Sequence, residues 1–182
     1  MNKVLIVLAN GFEEVEALTT IDLLRRVDLE VTIAGLEREF VTGAHDITVK
    51  CDRYYEEIQH RDYDCLILPG GQPGTNNLKN NAKIIEWVKN FENSNKLIAA
   101  ICAAPTVLYA AGILNGKKLT SFPSEKDVFS NCIYLEEAVV QDGNIITSRG
   151  VGTAIPFSLK IVENMKGKEE AAQLAERILY VY

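Results

Sequence analysis

The sequence predicts an α/β fold in which a mostly parallel sheet is covered by helices on both faces. Three observations carry this. Short apolar runs rich in β-branched residues alternate with helical patterns, which is the signature of crossover βαβ units. The runs are nearly continuous in apolar residues, as strands buried on both faces require. One of them, Leu97–Ile101, leads straight into a cysteine and then a helical pattern, as at a strand-to-helix turn on the carboxyl edge of such a sheet.

The elements follow in order. Val4–Ala9 reads as the first strand, and Val15, Leu18, Ile21 and Leu24 place an apolar stripe on the helix after it. Val31–Ala34 is the second strand. Phe40–Thr42 and Ile47–Val49, on either side of Gly43, read as a small antiparallel excursion. Cys65–Leu68 is the next strand; Ile84, Ile85, Val88 and Phe91 mark a helix around Trp87, and Leu97–Ile101 follows. The C-terminal third holds Val139–Asp142, Gly143 and Ile145–Thr147, then helices from about Thr153 to Met165 and Glu169 to Tyr180. No repeat or linker interrupts the 182 residues, so residues 1–182 are expected to form a single domain.

Hydrophobic residues make up 47% and charged residues 24%, a globular composition. A net charge of −6 without a long basic run argues against nucleic acid and anionic membrane as partners. The apolar run Val4–Ala9 is too short for a signal segment or a membrane span. Cys51, Cys65, Cys102 and Cys132 form no C-x-x-C pair, which fits reduced thiols and a cytoplasmic location. With only His45 and His60, and no H-x-x-x-H spacing, no metal site is expected.

Three segments carry candidate chemistry. In Leu97–Pro105, Ala100 and Ala104 flank Cys102 two positions away on each side, which is the steric requirement of a nucleophile elbow. Pro105 suits the first turn of the helix after it, and a helix N-terminus favours thiolate. The same residues also suit a core cysteine in an ordinary turn. Leu68-Pro69-Gly70-Gly71-Gln72-Pro73-Gly74 follows a strand, where paired glycines let backbone N–H groups approach an oxyanion; by itself it reads as a tight turn. In Asn10–Glu16, Glu13 and Glu14 read as exposed charges of a first helical turn. Glu16 alone reads the same way, unless it faces the crevice, where burial would raise its pKa.

Together these segments resemble the ThiJ/PfpI superfamily, in the branch of the parkinsonism-associated protein deglycase and its bacterial relatives. Ser148–Thr153 and Gly167-Lys168-Glu169 extend the resemblance, which runs from Lys3 to about Ala172. It implies a flavodoxin-like or glutamine amidotransferase-like sandwich with a nucleophile elbow. It also implies Cys102 as nucleophile, Glu16 as its protonated carboxyl partner, and Gly71 and Ala103 as backbone donors to an oxyanion. Gly70 would line the pocket. A homodimer is implied, with the early helix and the region near His45 close to the partner.

Some residues depart from the family pattern. Phe122 stands where many members place a histidine, so a Cys–His pair is missing and peptidase chemistry is disfavoured. His45 stands where close relatives often carry arginine at the dimer-side rim. Val151 replaces a proline and Ala104 a glycine. The remaining readings are plain: Cys65 in the core, Cys51 and Cys132 partly exposed, His60 solvated, Tyr180 and Tyr182 packing or surface groups.

The activity the resemblance implies is conversion of small dicarbonyls, glyoxal or methylglyoxal, or of their early protein adducts, to hydroxy acids. The partner would thus be a small aldehyde or a glycated protein, and the scheme requires no cofactor. The alternative is a redox-responsive protein or holdase chaperone that senses oxidation at Cys102.

Overall fold

The computed structural model describes residues 3–37 and 39–181. Its first half runs β1 (Lys3–Leu8), α1 (Glu14–Arg25), β2 (Glu30–Gly35), β3 (Phe40–Thr42), β4 (Thr48–Lys50), β5 (Arg53–Tyr54) and β6 (Cys65–Leu68). Next come α2 (Gly74–Lys79), α3 (Ala82–Asn93), β7 (Leu97–Ile101) and α4 (Pro105–Ala110). The chain then forms β8 (Lys118–Leu119), β9 (Ile133–Tyr134), β10 (Val139–Asp142), β11 (Ile145–Ser148), α5 (Ala154–Lys166) and α6 (Lys168–Arg177).

Seven strands make the main sheet in the order β10-β11-β7-β6-β1-β2-β5, all parallel except for the β10–β11 pair. The excursion around Gly43 pairs β3 with β4 antiparallel, and β8 pairs with β9 in parallel. The period-2 alternation of a strand divides β1 between two cores. Val4, Ile6 and Leu8 face one core with Ile21, Leu24, Phe157 and Ile161. Leu5 and Val7 face the other with Ile84, Trp87, Val88, Phe91 and Leu108. The sheet is therefore covered on both sides, as its unbroken apolar runs require.

The stripe expected on α1 is only half right. Ile21 and Leu24 are buried, but Val15 and Leu18 remain 46% and 37% exposed. The buried face begins instead with Glu14, Glu16 and Ala17. Farther along α1, the Thr20 hydroxyl donates to the Glu16 carbonyl at 2.7 Å and accepts from Ser158 of α5 at 3.1 Å, tying the two helices together. Two other expectations need correction. Cys51 is buried, and His60 stacks on Trp87 with ring centroids 5.6 Å apart and accepts from Asn90 Nδ2. Cys65 lies in the core, Cys132 is half-buried and Tyr180 packs against the α1–α5 side; Tyr182 lies outside the described residues. No described helix is long and apolar enough to cross a membrane.

Candidate active site

The site lies at the carboxyl ends of β1, β6, β7 and β11, where open α/β sheets place their ligands. Cys102 follows β7 directly with φ +63°, a left-handed conformation that costs a non-glycine residue on the order of 1–3 kcal/mol. The surrounding hydrogen bonds hold it there. Its N–H donates to Ser148 of β11 at 3.0 Å, and its carbonyl accepts from Phe122 at 2.8 Å. Pro105 opens α4 without needing an acceptor for an N–H. The sulfur is left half-buried, with the backbone N–H groups of Gly71 and Ala103 directed at it.

Glu16 reaches the sulfur from α1. The residue is wholly buried; Oε2 accepts from Gly70 N at 2.9 Å, and the carboxyl is hydrogen-bonded to Cys102. Glu13 N in turn donates to Gly70 O at 2.9 Å, which locks the start of α1 onto the glycine loop. The paired glycines are sterically required. A Cβ on Gly70 would sit 2.5 Å from Cys102 Cβ and 2.7 Å from Glu16 Oε2. Gly71, at φ +89°, would drive one into the backbone of residues 11–13.

The electrostatics belong to the pair. Burial, opposed by the hydrogen bonds from Cys102 and Gly70, pushes Glu16 up to about 7. Burial and then the Glu16 charge push the Cys102 thiol up to about 12, against the lowering by the Gly71 and Ala103 amides. This corrects the expectation of a thiolate favoured simply by a helix end. Two coupled groups lose protons in steps that belong to both. The first proton leaves near pH 7 and the second only in strong alkali, because it would create a second charge in the same buried space. The pair is thus about half ionised at pH 7 and carries one negative charge by pH 8, on a Glu16 carboxylate hydrogen-bonded to the Cys102 thiol.

Above the pair is a cavity of about 460 Å³ lined by Glu13, Glu16, Cys102, Phe122, Pro123, Arg149, Gly150, Val151, Gly152 and Thr153. Thr153 Oγ1 shapes its far wall by accepting from the N–H groups of Arg149 and Gly150 at 3.2 and 3.1 Å. Two polar atoms of this lining are buried without a hydrogen-bond partner among the described residues: Glu16 Oε1 and Arg149 Nη1.

Comparison with known proteins places this arrangement. The DJ-1/PfpI family profile matches residues 2–164. The chain belongs to the DJ-1/PfpI family. It is 41% identical over 181 residues to the Drosophila melanogaster protein dj-1beta, covering 98% of this chain and 97% of the relative. It is 34% identical over 166 residues to a deglycase of Pyrococcus abyssi, covering 90% and 99%. The crystal structure of Drosophila DJ-1beta superposes with a TM-score of 0.96 over 100% of this chain and 99% of its own.

Within this DJ-1/PfpI chain, Cys102, Glu16, Gly70, Gly71, Ala103 and Phe122 meet at one place. Phe122, 47% exposed, lines the same cavity with an apolar side chain, so no histidine base stands there. His45 lies beyond Glu13, outside the cavity lining, and belongs to a second cluster that the sequence concealed. Glu14, expected to be exposed, is 3% exposed; its Oε1 accepts from the N–H groups of His45 and Ile47, and its Oε2 pairs with His45 Nδ1 at 2.9 Å. Burial pushes the Glu14 carboxyl up, but the His45 hydrogen bonds outweigh it and hold it below the usual value. His45, bonded to Glu14 and facing Glu13 at 3.7 Å, is raised. Glu13, Glu14 and His45 bring ligand atoms within 4.8 Å, the described group best spaced for a metal ion. With both Glu14 oxygens already accepting from the hairpin, the cluster acts as a clamp between α1 and the β3–β4 turn.

The close approach at Gly70 makes a testable expectation. Gly70→Ala should separate Cys102 from Glu16 and lower turnover on the order of 10²-fold, as small displacements of reacting groups do. Far-UV circular dichroism should be preserved. Unchanged turnover would show that the contact tolerates a methyl group.

Proposed function

We propose that this chain is a cysteine-dependent enzyme that converts glyoxal, methylglyoxal or their early protein adducts to hydroxy acids. The observation that carries the reading is the strained Cys102 hydrogen-bonded to a wholly buried Glu16 whose carboxyl titrates near neutrality. A carboxyl poised near 7 is suited to take and return a proton within one turnover. The Glu16 carboxylate takes the thiol proton as the sulfur adds to the aldehyde carbon. The amides of Gly71 and Ala103 receive the oxyanion, and Glu16 returns that proton to it. Glu16 then moves a proton from that carbon to its neighbour, leaving a thioester. Water cleaves the C–S bond, releasing the hydroxy carboxylate and a proton and restoring the pair. The deglycase name of the Pyrococcus relative points the same way. Phe122 in the lining, in place of a base, argues against a peptidase.

A second reading rests on the same cysteine. A solved structure of Toxoplasma gondii DJ-1, 37% identical, is described as oxidized, and an accessible sulfur beside a carboxyl suits redox sensing. Turnover separates the two. The enzyme should form many equivalents of lactate from methylglyoxal per chain without added glutathione. Loss of only one equivalent, with Cys102 modified, would favour the sensor.

We further propose a homodimer. Val15 and Leu18 on α1, and Ile47 in the turn that Glu14 clamps to α1, present exposed apolar side chains at the edge the family resemblance assigns to the partner. Light scattering at micromolar concentration should give twice the chain mass, and Leu18→Glu should shift it toward one. A wild-type monomer at all concentrations would contradict this.

A further inference from the structure

The dicarbonyl reaction develops negative charge on two oxygens, and the site described so far accounts for one. Proton removal from the former aldehyde carbon forms a carbon–carbon double bond and moves the adjacent carbonyl's π electrons onto its own oxygen. The Gly71 and Ala103 amides serve the first oxygen, and Phe122 leaves no imidazole for the second. An unsatisfied donor is nevertheless built into the cavity wall. Arg149 follows β11 directly, and Ser148 just before it takes the Cys102 N–H. Arg149 is one of the residues lining the cavity, and its charge is close enough to Glu136 to add to Lys126 in lowering that carboxyl. Its Nη1 is buried without a hydrogen-bond partner among the described residues. A buried unpaired donor costs about 1–3 kcal/mol, more when charged, and a ligand oxygen would relieve that cost. The other unpartnered atom of the lining is Glu16 Oε1, an acceptor. One free acceptor and one free donor are what a proton shift between adjacent carbonyl carbons uses.

We propose that Arg149 is a catalytic residue that donates a hydrogen bond to the second oxygen of a 1,2-dicarbonyl, making adjacent carbonyls the substrate requirement. Resting on the dicarbonyl reading, it adds a role for which the Cys102–Glu16 pair has no group. Atoms balance as follows. Glu16 takes the proton from the sulfur-bearing carbon, and the electron pair passes through the new double bond to the second oxygen, where Arg149 receives it. Glu16 then protonates the second carbon, and the first oxygen's proton passes to the second oxygen. The first carbon is oxidised to a thioester and the second reduced to an alcohol, with no external oxidant.

The test compares wild type, Arg149→Met, Arg149→Lys and Arg149→Ala on methylglyoxal, alongside the alkylation rate of Cys102 by iodoacetamide. In Arg149→Met kcat should fall roughly 10²–10³-fold, the usual cost of losing an oxyanion donor. KM, alkylation rate and thermal melting should change little. Arg149→Lys should keep more of kcat than Arg149→Met, and added guanidinium should restore part of it in Arg149→Ala. An unchanged kcat in Arg149→Met would overturn the proposal, and so would a loss matched by an equal fall in alkylation, which marks a structural role. Failure of wild type to make lactate while Cys102 still alkylates would instead refute the dicarbonyl reading and this step with it.

Discussion

Glu16→Gln should lower methylglyoxal turnover by roughly 10²–10⁴-fold, the range for lost acid–base catalysis, and Cys102→Ser should abolish it. The glutamine keeps the shape of the side chain but removes the titrating proton. An amide N–H can still face the sulfur, but no carboxylate remains to take the thiol proton or to carry the proton shift. The double variant His45→Ala with His60→Ala should retain most activity. His60 is packed on Trp87 and His45 is paired with Glu14 outside the cavity. Steady-state rates on methylglyoxal, with folding checked by circular dichroism, test all three. Full activity in Glu16→Gln would remove the carboxyl from the mechanism.

The same substitution should stabilise the protein in alkaline solution. The folded-state pKa of Glu16 is raised from 4.5 to about 7, so between those values the folded chain holds a proton that the unfolded chain has released. Stability therefore falls as pH rises from about 4.5 and levels off above 7. Glu16→Gln lacks this dependence. Its stability relative to wild type should grow by about 2–3 kcal/mol between pH 5 and pH 8, at ~1.4 kcal/mol per pH unit below the folded pKa. Urea unfolding at the two pH values and one protein concentration reads the difference. A constant difference would mean that Glu16 ionises as easily folded as unfolded.

The parts of the molecule legible in the sequence are those whose signal is local. Leu97–Ile101 could be read as a strand because it is apolar without interruption, and the elbow because Ala100 and Ala104 leave room for a sharp turn. The β3–β4 hairpin appeared as two short apolar segments around Gly43. Glu14 and Glu16 looked like any acidic first turn, since a solvated carboxylate and a buried one occupy the same place in a helical pattern. What buries them lies far along the chain, in the N–H groups of His45 and Ile47 and of Gly70. With the acids turned inward, Val15 and Leu18 were left outside, so the apolar stripe misled in the same turn. Arg149 could be placed in a motif, but its cavity forms only when β11 settles beside β7.

The shared proton of Cys102 and Glu16 is tested most directly by the pH dependence of iodoacetamide alkylation, followed by mass spectrometry at each cysteine. Wild-type Cys102 should alkylate first, with a rate that rises through pH 7 and reaches a plateau near pH 8. Cys51, pushed up to about 11 by burial, and the fully buried Cys65 should stay silent over that range. In Glu16→Gln the rise near pH 7 should vanish. A wild-type rate that begins to rise only near pH 9, or a limb unchanged in Glu16→Gln, would contradict a pair that carries one charge between sulfur and carboxyl.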